Sequence, residues 1–378
     1  MTTDIVVDTS MKLRCARDEL AGRLALVSRG LSTRPSVQIF AGVLLQAVSG
    51  RLELSATDME VSVRAGLDAE VSGEGGAVVP GRLLGDIVRQ LPESELDIEY
   101  QAEENTLLVT SGSASYRVRT YAVEDFPRLP DVTGVALSTV DAQPFLDAIQ
   151  CVGRAAGRDE SRPVLTGIFV RFAAGKLVMV ATDSYRLSVK ETELAGESPE
   201  LEAIIPARAL DELKRIGVGS GGQIELGMLD NHVAFGVDGV WLTTRRIDGQ
   251  FPDYTKLIPE VGEFSVELTL PRAELLDVVR RMAVMAHRAS PLKLRLADGE
   301  LTISAQTQDV GESRESLPAA YSGDPLEIGF NADYLRDGIE SVDGDDLVLR
   351  LINPLRPGLV QGPEEGFRYL IMPIRLAG

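Results

Sequence analysis

Gly50-Arg-Leu-Glu-Leu-Ser-Ala56-Thr57-Asp58 is written again as Gly175-Lys-Leu-Val-Met-Val-Ala181-Thr182-Asp183 and a third time as Gly299-Glu-Leu-Thr-Ile-Ser-Ala305, where the Thr-Asp ending is lost. The glycines stand 125 and 124 residues apart, close to one third of the 378-residue chain. A turn glycine followed by alternating apolar residues reads as the return strand of a β-hairpin with one buried face. A period this long is a whole domain rather than one unit of a solenoid, so the chain reads as one small domain written three times.

Other landmarks recur in the same order. Arg34-Pro35 and Arg162-Pro163 precede the first hairpin strand of repeats one and two, and Phe126-Pro127 and Phe251-Pro252 close those repeats. Apolar residues at helical spacing predict a helix opening each repeat, at Arg17 to Leu31, Ala142 to Ala155 and Pro271 to Ala286. A second helix is predicted after Pro80, after Pro206 and after Asn331. Each repeat is thus two helices plus two sets of short strands, an α+β fold. The boundaries implied are a disordered tail at 1–10 and domains at 11–130, 131–258 and 259–378.

Composition narrows the function. With 44% hydrophobic and 25% charged residues the chain can bury three ordinary cores. No apolar run approaches the roughly 18 residues that cross a bilayer, and the N-terminus lacks a signal-peptide pattern, so a membrane partner is not expected and a reducing cytoplasm fits. The two cysteines, Cys15 and Cys151, read as small buried hydrophobes. Neither His232 nor His287 lies in a metal or nucleophile spacing, and Gly217-Val-Gly-Ser-Gly-Gly222 lacks the Gly-Lys-Ser/Thr of a phosphate loop and reads as a turn. No catalytic constellation, metal site or cofactor is implied. An enzyme with its site at a junction of a triplicated β-rich scaffold is the competing class, and the missing His and Cys patterns weigh against it.

A formal charge of −19 argues against a phosphate partner until its distribution is read. The six helical segments are together close to neutral, so the strands and loops carry nearly all the excess acid. Arg23, Arg29, Arg34, Arg82, Arg89, Arg154, Arg158, Arg162, Lys214, Arg215, Arg280, Arg281 and Arg288 recur on or just beyond the helices. Only the last helix reverses the sign, with Asp333, Asp337, Glu340 and Asp343 outweighing Arg336. Solvated helix faces explain any one of these residues; their joint segregation is the feature that needs a cause.

Besides the triplication, Ala181-Thr-Asp-Ser-Tyr-Arg-Leu187, Asp248-Gly-Gln-Phe-Pro-Asp-Tyr254 and the ending Met372-Pro-Ile-Arg-Leu376 make the chain resemble the bacterial DNA polymerase sliding clamps, the β subunits of the replicative polymerase, from about Met11 to Leu376. The resemblance implies three tandem copies of the DNA-clamp fold, each two helices plus two antiparallel sheets, closing as a homodimer into a pseudo-sixfold ring with helices lining the hole. It implies a non-catalytic processivity factor that encircles double-stranded DNA without reading its sequence. Its partners are the replicative polymerase catalytic subunit, the clamp loader and other proteins with Leu- and Phe-containing peptides. A weakly basic hole suits sliding, because a strongly basic one would pin the ring to phosphate.

By match to the family, the peptide pocket falls on Leu165, Thr166, Gly167, Thr182, Ser184, Tyr185, Arg186, Leu187, Pro252, Leu257, Met372, Pro373, Ile374 and Arg375. Arg34, Arg82, Arg89, Arg154, Arg158, Arg162, Arg215, Arg281 and Arg288 are the expected DNA-facing residues. Tyr116 and Val118 of repeat one are expected to meet Ala283 and Val284 of the partner's repeat three. Ser184-Tyr185 stands where the family often has Gly-His, and Pro163-Val164 where some members carry an aromatic pair, so the pocket rim and one stacking contact differ here. The same pattern leaves open a second, specialised or inhibitor-resistant clamp beside a housekeeping copy.

Overall fold

The structure is a computed structural model that describes residues 9–32, 34–194, 199–219, 222–286, 291–307, 311–363 and 366–376. Repeat one runs β1 (Thr9–Ala16), α1 (Arg17–Val27), β2 (Gly42–Val48), β3 (Arg51–Thr57), β4 (Val61–Asp68), β5 (Glu70–Pro80), α2 (Gly81–Gln90), β6 (Glu95–Gln101), β7 (Thr106–Ser111) and β8 (Ala114–Arg119). Repeat two runs β9 (Leu137–Asp141), α3 (Ala142–Gly153), a one-turn α4 (Pro163–Thr166), β10 (Gly167–Ala173), β11 (Lys176–Thr182), β12 (Arg186–Glu193), β13 (Glu202–Pro206), α5 (Ala207–Gly217), β14 (Gln223–Met228), β15 (His232–Val237) and β16 (Val240–Arg245). Repeat three runs β17 (Val266–Pro271), α6 (Arg272–Ala283), β18 (Leu292–Ala297), β19 (Glu300–Thr307), β20 (Gly311–Pro318), β21 (Leu326–Phe330), α7 (Ala332–Glu340), β22 (Asp346–Leu351), β23 (Gly358–Gln361) and β24 (Phe367–Ile371). Each repeat therefore opens on a strand, with its first helix second. β1 starts at Thr9, inside the segment expected to be a disordered tail, because Thr9 pairs with Gly75 of β5. The rest of that tail, 1–8, lies outside the described residues.

The quoted phrases form hairpins for a local reason. Ser49-Gly50, Ala174-Gly175 and Asp298-Gly299 are two-residue loops between register-paired neighbours, and all six residues have positive φ, from 51 to 82°. That backbone matches the twist of the flanking strands and favours glycine at its second position. The Thr-Asp endings build a second shared turn. Thr57 Oγ1 donates to the Val61 carbonyl and Asp58 Oδ1 accepts from the Glu60 and Val61 amides, while Thr182 Oγ1 donates to the Arg186 carbonyl and Asp183 Oδ1 accepts from the Tyr185 and Arg186 amides. Met59 and Ser184, at φ 77° and 78°, sit at the same position of that turn.

The helices bury one face each, such as Leu20, Leu24 and Val27 of α1, and Leu335 and Ile339 of α7. α1 stops at Val27, short of the expected Leu31, and passes into a single 3-10 turn. There Gly30 lies so close to β3 that an added Cβ would stand 2.7 Å from the Ala56 carbonyl oxygen. α3 and α6 likewise end at Gly153 and Ala283, short of Ala155 and Ala286.

By contact the chain forms two compact units, Met1–Gln143 with Glu212–Arg246, and Pro144–Asp211 with Ile247–Gly378, a division that runs through repeat two. The first unit holds one twelve-stranded antiparallel sheet in the order β8-β7-β6-β1-β5-β2-β3-β4-β16-β15-β14-β9. β1 pairs with both β5 and β6, which fuses the two strand sets of repeat one. The second unit holds an eight-stranded sheet, β13-β10-β11-β12-β24-β23-β22-β17, and a four-stranded sheet, β20-β19-β18-β21. In both large sheets the join between repeats has one form: the fourth strand of a repeat pairs with the eighth strand of the next, β4 with β16 and β12 with β24.

The turn geometry predicts opposite effects for two open glycines. A Cβ meets nothing within 4 Å at either Gly175 (φ 76°) or Gly22 of α1. Gly175→Ala should cost about 1 kcal/mol through left-handed strain, and Gly22→Ala should gain about 0.5–1 kcal/mol in the helix. Urea midpoints of the two variants should move in opposite directions.

Candidate functional site

Where β12 joins β24 the sheet surface opens into a cavity of about 330 Å³. The pairing sets Arg186 opposite Ile371 and Leu187 opposite Leu370, and the Met372 amide extends it by donating to the Tyr185 carbonyl at 2.9 Å. The floor is apolar: Leu187 and Leu370 belong to a buried cluster with Val178, Val180, Val189 and Leu359. Thr182 and Ser184 come from the Thr-Asp turn, Lys256, Leu257 and Pro259 from the segment that leads out of repeat two, and Arg356 and Pro357 from the β22–β23 connection. Leu257 and Met372 line the cavity while remaining 55% and 45% exposed, apolar area left open to a partner.

Arg186 is the electrostatic anchor of this site. Its Nε donates to Asp183 Oδ2 at 3.0 Å, its Nη1 to Asp337 Oδ2 at 2.6 Å and to the Tyr369 hydroxyl at 3.4 Å, and its guanidinium lies 4.3 Å from the Tyr334 ring centroid. Burial works against the charge, yet Tyr369, Asp337 and Asp183 more than offset it and raise the Arg186 pKa. The buried Tyr369 hydroxyl, pushed up by burial, donates to the Tyr334 carbonyl at 2.8 Å. The acids that make the last helix anomalous have a use here. Asp337 also lies 3.5 Å from Arg154, and Glu340 bridges Arg154 at 2.6 Å and Arg280 at 2.8 Å.

Six of the fourteen pocket residues expected from sequence line this cavity: Thr182, Ser184, Arg186, Leu187, Leu257 and Met372. The other eight are outside its lining. Tyr185 is 60% exposed beside it, Leu165 and Thr166 are half-buried on α4, and Gly167 is buried at the start of β10. Pro252 and Arg375 are exposed, while Pro373 and Ile374 are half-buried, with the Ile374 amide donating to Gly329 beside β21. Lys256, Pro259, Arg356, Pro357 and Leu370 line the cavity without having been foreseen. Leu370 carried a signal, two residues before Met372, as did Lys256 next to Leu257.

The expected DNA-facing arginines are largely held by acids of their own chain. Arg89 pairs with Asp86, Arg154 with Glu340, Arg162 with Asp159, Arg215 with Glu212 and Arg281 with Glu315. Arg34, Arg82 and Arg158 are exposed, and Arg288 lies outside the described residues. Of the expected interface residues, Tyr116 is 39% exposed on β8, Val118 is buried in its own sheet, Ala283 is half-buried and Val284 is 82% exposed at the end of α6. β8 is an edge strand of its sheet.

Among the described residues no group of three His, Cys, Asp or Glu could hold a metal. Both thiols are buried, Cys15 in β1 and Cys151 in α3, and burial pushes each pKa up to about 12. Burial lowers the pKa of His232 on β15, and His287 lies outside the described residues. Gly217 ends α5 and the turn leads to β14, with 220–221 outside the described residues. No helix of the described residues is long and apolar enough to cross a membrane.

The chain matches the family profiles "DNA polymerase III beta subunit" for the N-terminal domain at residues 11–130, the central domain at 139–253 and the C-terminal domain at 255–375. It is 35% identical to the beta sliding clamp of Streptomyces coelicolor over 97% of this chain and 100% of that protein. Among solved structures, the beta sliding clamp of Caulobacter crescentus is 29% identical with a TM-score of 0.90, covering 97% of this chain and 99% of that one. The sliding clamp of Bartonella birtlesii, solved bound to griselimycin, is 28% identical with a TM-score of 0.89, covering 97% of this chain and 100% of that one.

The buried geometry of Arg186 predicts a structural cost separate from the rim. Arg186→Ala leaves Asp183 and Asp337 short of their charged partner and should destabilise by roughly 3 kcal/mol, whereas Tyr185→Ala should stay within about 0.5 kcal/mol. Arg186→Lys should recover little, because an ammonium cannot reproduce the forked contacts. Urea unfolding of the three variants checks the order.

Proposed function

This chain belongs to the bacterial DNA polymerase III beta subunit family, the sliding clamps, and from that premise we propose that two copies close into a ring around duplex DNA and tether the replicative polymerase. The observation that carries the ring is the join between repeats. A fourth strand pairs with the next repeat's eighth at β4–β16 and at β12–β24. The third pair of that series, β20 with β8, is not made among the described residues, where both are edge strands of their sheets. Exposed edges invite another copy, and a head-to-tail contact used twice closes. Tyr116 and Val118 on β8 and Ala283 and Val284 after α6 flank that seam in this reading.

In the ring the helices line the hole. Arginines neutralised by Asp86, Glu212, Glu315 and Glu340 leave a weak field there, which suits sliding, while the acidic remainder of the chain keeps DNA from the wrong face. Arg34, Arg82 and Arg158, the exposed ones among the expected DNA-facing arginines that have no acid partner named above, make the phosphate contacts in this reading. The cavity at the β12–β24 seam receives Leu- and Phe-containing peptides of the polymerase, the clamp loader and other DNA-processing proteins, with Tyr185, Pro252, Pro373, Ile374 and Arg375 at its margins. One Leu and one Phe contribute about 3–6 kcal/mol, weak enough for partners to exchange. The chain acts without catalysis of its own, in the cytoplasm.

Topology separates encirclement from adhesion. Loaded on nicked circular duplex by a matching clamp loader with ATP, the protein should remain bound through gel filtration and be lost on linearisation. Without the loader, binding should be weak and steeply salt-dependent. Equal retention on linear and circular DNA would contradict the ring.

A further inference from the structure

We propose that an ion pair between helices, made at both joins inside the chain and omitted at the subunit seam, where Val284 stands in the arginine's position, confines opening of the ring to that seam; the inference rests on the ring reading above. The first helices of the three repeats align on their buried residues: Leu20, Leu24 and Val27 of α1, Phe145, Ile149 and Val152 of α3, and Leu275, Val279 and Met282 of α6. Arg29, Arg154 and Val284 then share one position, twelve residues beyond the start of each helix. The second helices align on Leu84, Leu210 and Leu335. That alignment places an acid, Asp86, Glu212 or Asp337, five residues beyond each start.

The two shared positions meet at each join the chain makes by itself. Arg29 Nη1 lies 3.2 Å from Glu212 Oε2 where repeat one meets repeat two, and Arg154 Nη1 lies 3.5 Å from Asp337 Oδ1 where repeat two meets repeat three. The third meeting of the series sets Val284 against Asp86 of the partner subunit, so the acid is kept and the cation is not. A closed ring must part at one join to admit circular duplex, and the three joins differ in what parting leaves behind. The first join takes Arg29 from Glu212, which is 14% exposed. The second takes both Arg154 and the buried Arg186 from Asp337, which is 16% exposed. Removing the partner of a mostly buried carboxylate is strongly unfavourable. Asp86 is instead 69% exposed and paired with Arg89 of its own helix, and Val284 is 82% exposed in the single chain. Parting the seam there re-wets one apolar side chain while Asp86 keeps Arg89. An apolar contact is also non-directional, so it re-forms without having to recover a hydrogen-bond geometry. Strand pairing is common to all three joins in this reading, which leaves the helix layer to set the difference.

Val284→Arg and Val284→Gln, similar in length and different in charge, test the assignment in the full-length protein, each combined with Asp86 and with Asp86→Asn. Subunit exchange, followed by energy transfer between differently labelled copies, should be about 2- to 5-fold slower in Val284→Arg than in Val284→Gln at low salt. The difference should fade as salt rises and vanish with Asp86→Asn. Equal rates overturn the proposal, as does a difference that survives Asp86→Asn. Loss of the dimer in both variants overturns it too, because position 284 is then closed to a long side chain. At an internal join, hydrogen exchange of the Val240–Thr244 amides, which lie on the strand paired with β4, should quicken in Arg29→Gln and stay unchanged in Asp86→Asn; no change in Arg29→Gln contradicts the proposed role of the pair. An unaltered chain that is monomeric removes the ring reading itself, whereas a failed charge comparison within a stable dimer removes this inference alone.

Discussion

The amides and carbonyls along a β-strand edge must find partners, and in this chain that requirement links one repeat to the next. β4 pairs with β16 over Val61–Ala65, and β12 with β24 over Arg186–Lys190, so neither join depends on side-chain matching alone. The same rule explains why contact density divides the molecule through repeat two: each half of that repeat is sealed into a neighbour's sheet. Among the described residues the remaining members of the series, β20 and β8, are both edge strands of their sheets.

The seam at β12–β24 does more than join sheets. Strands from two repeats meet there with the β22–β23 connection and the segment after Phe251, and the space between them is the cavity. Its shape depends on Arg186, which is fixed by an acid from its own turn and by one from α7. Asp337 and Glu340 thereby satisfy cations on both sides, the buried Arg186 and the exposed Arg154 and Arg280. The helix with reversed charge thus supplies the acid partner of the buried Arg186 at the seam. The same ion pairs mute the exposed arginines Arg154 and Arg280.

Local signals in the sequence were legible where local chemistry decides. The hairpin glycines at 50, 175 and 299 all have φ near 80°, and the Thr-Asp phrases make one hydrogen-bonded turn twice. The third repeat lacks that phrase, and there β19 continues through Thr307 into its pairing with β20. What stayed illegible depends on contacts distant in sequence. Position 30 admits no Cβ because Ala56 stands against it, and β1 is a strand because Thr9 meets Gly75. Lys256 and Arg356 reach one cavity from positions 100 residues apart. Val118, expected from sequence to meet a partner, is buried in its own sheet.

The pairing rule across repeats is the claim on which the rest stands, and the oligomeric state tests it most directly. Multi-angle light scattering at micromolar concentration should give a single species of about twice 40.7 kDa, reduced to a monomer when proline is placed in the middle of β20 at Arg314, where it removes edge hydrogen-bonding capacity and kinks the strand. A stable monomer of the unaltered chain, or a trimer, would contradict the account.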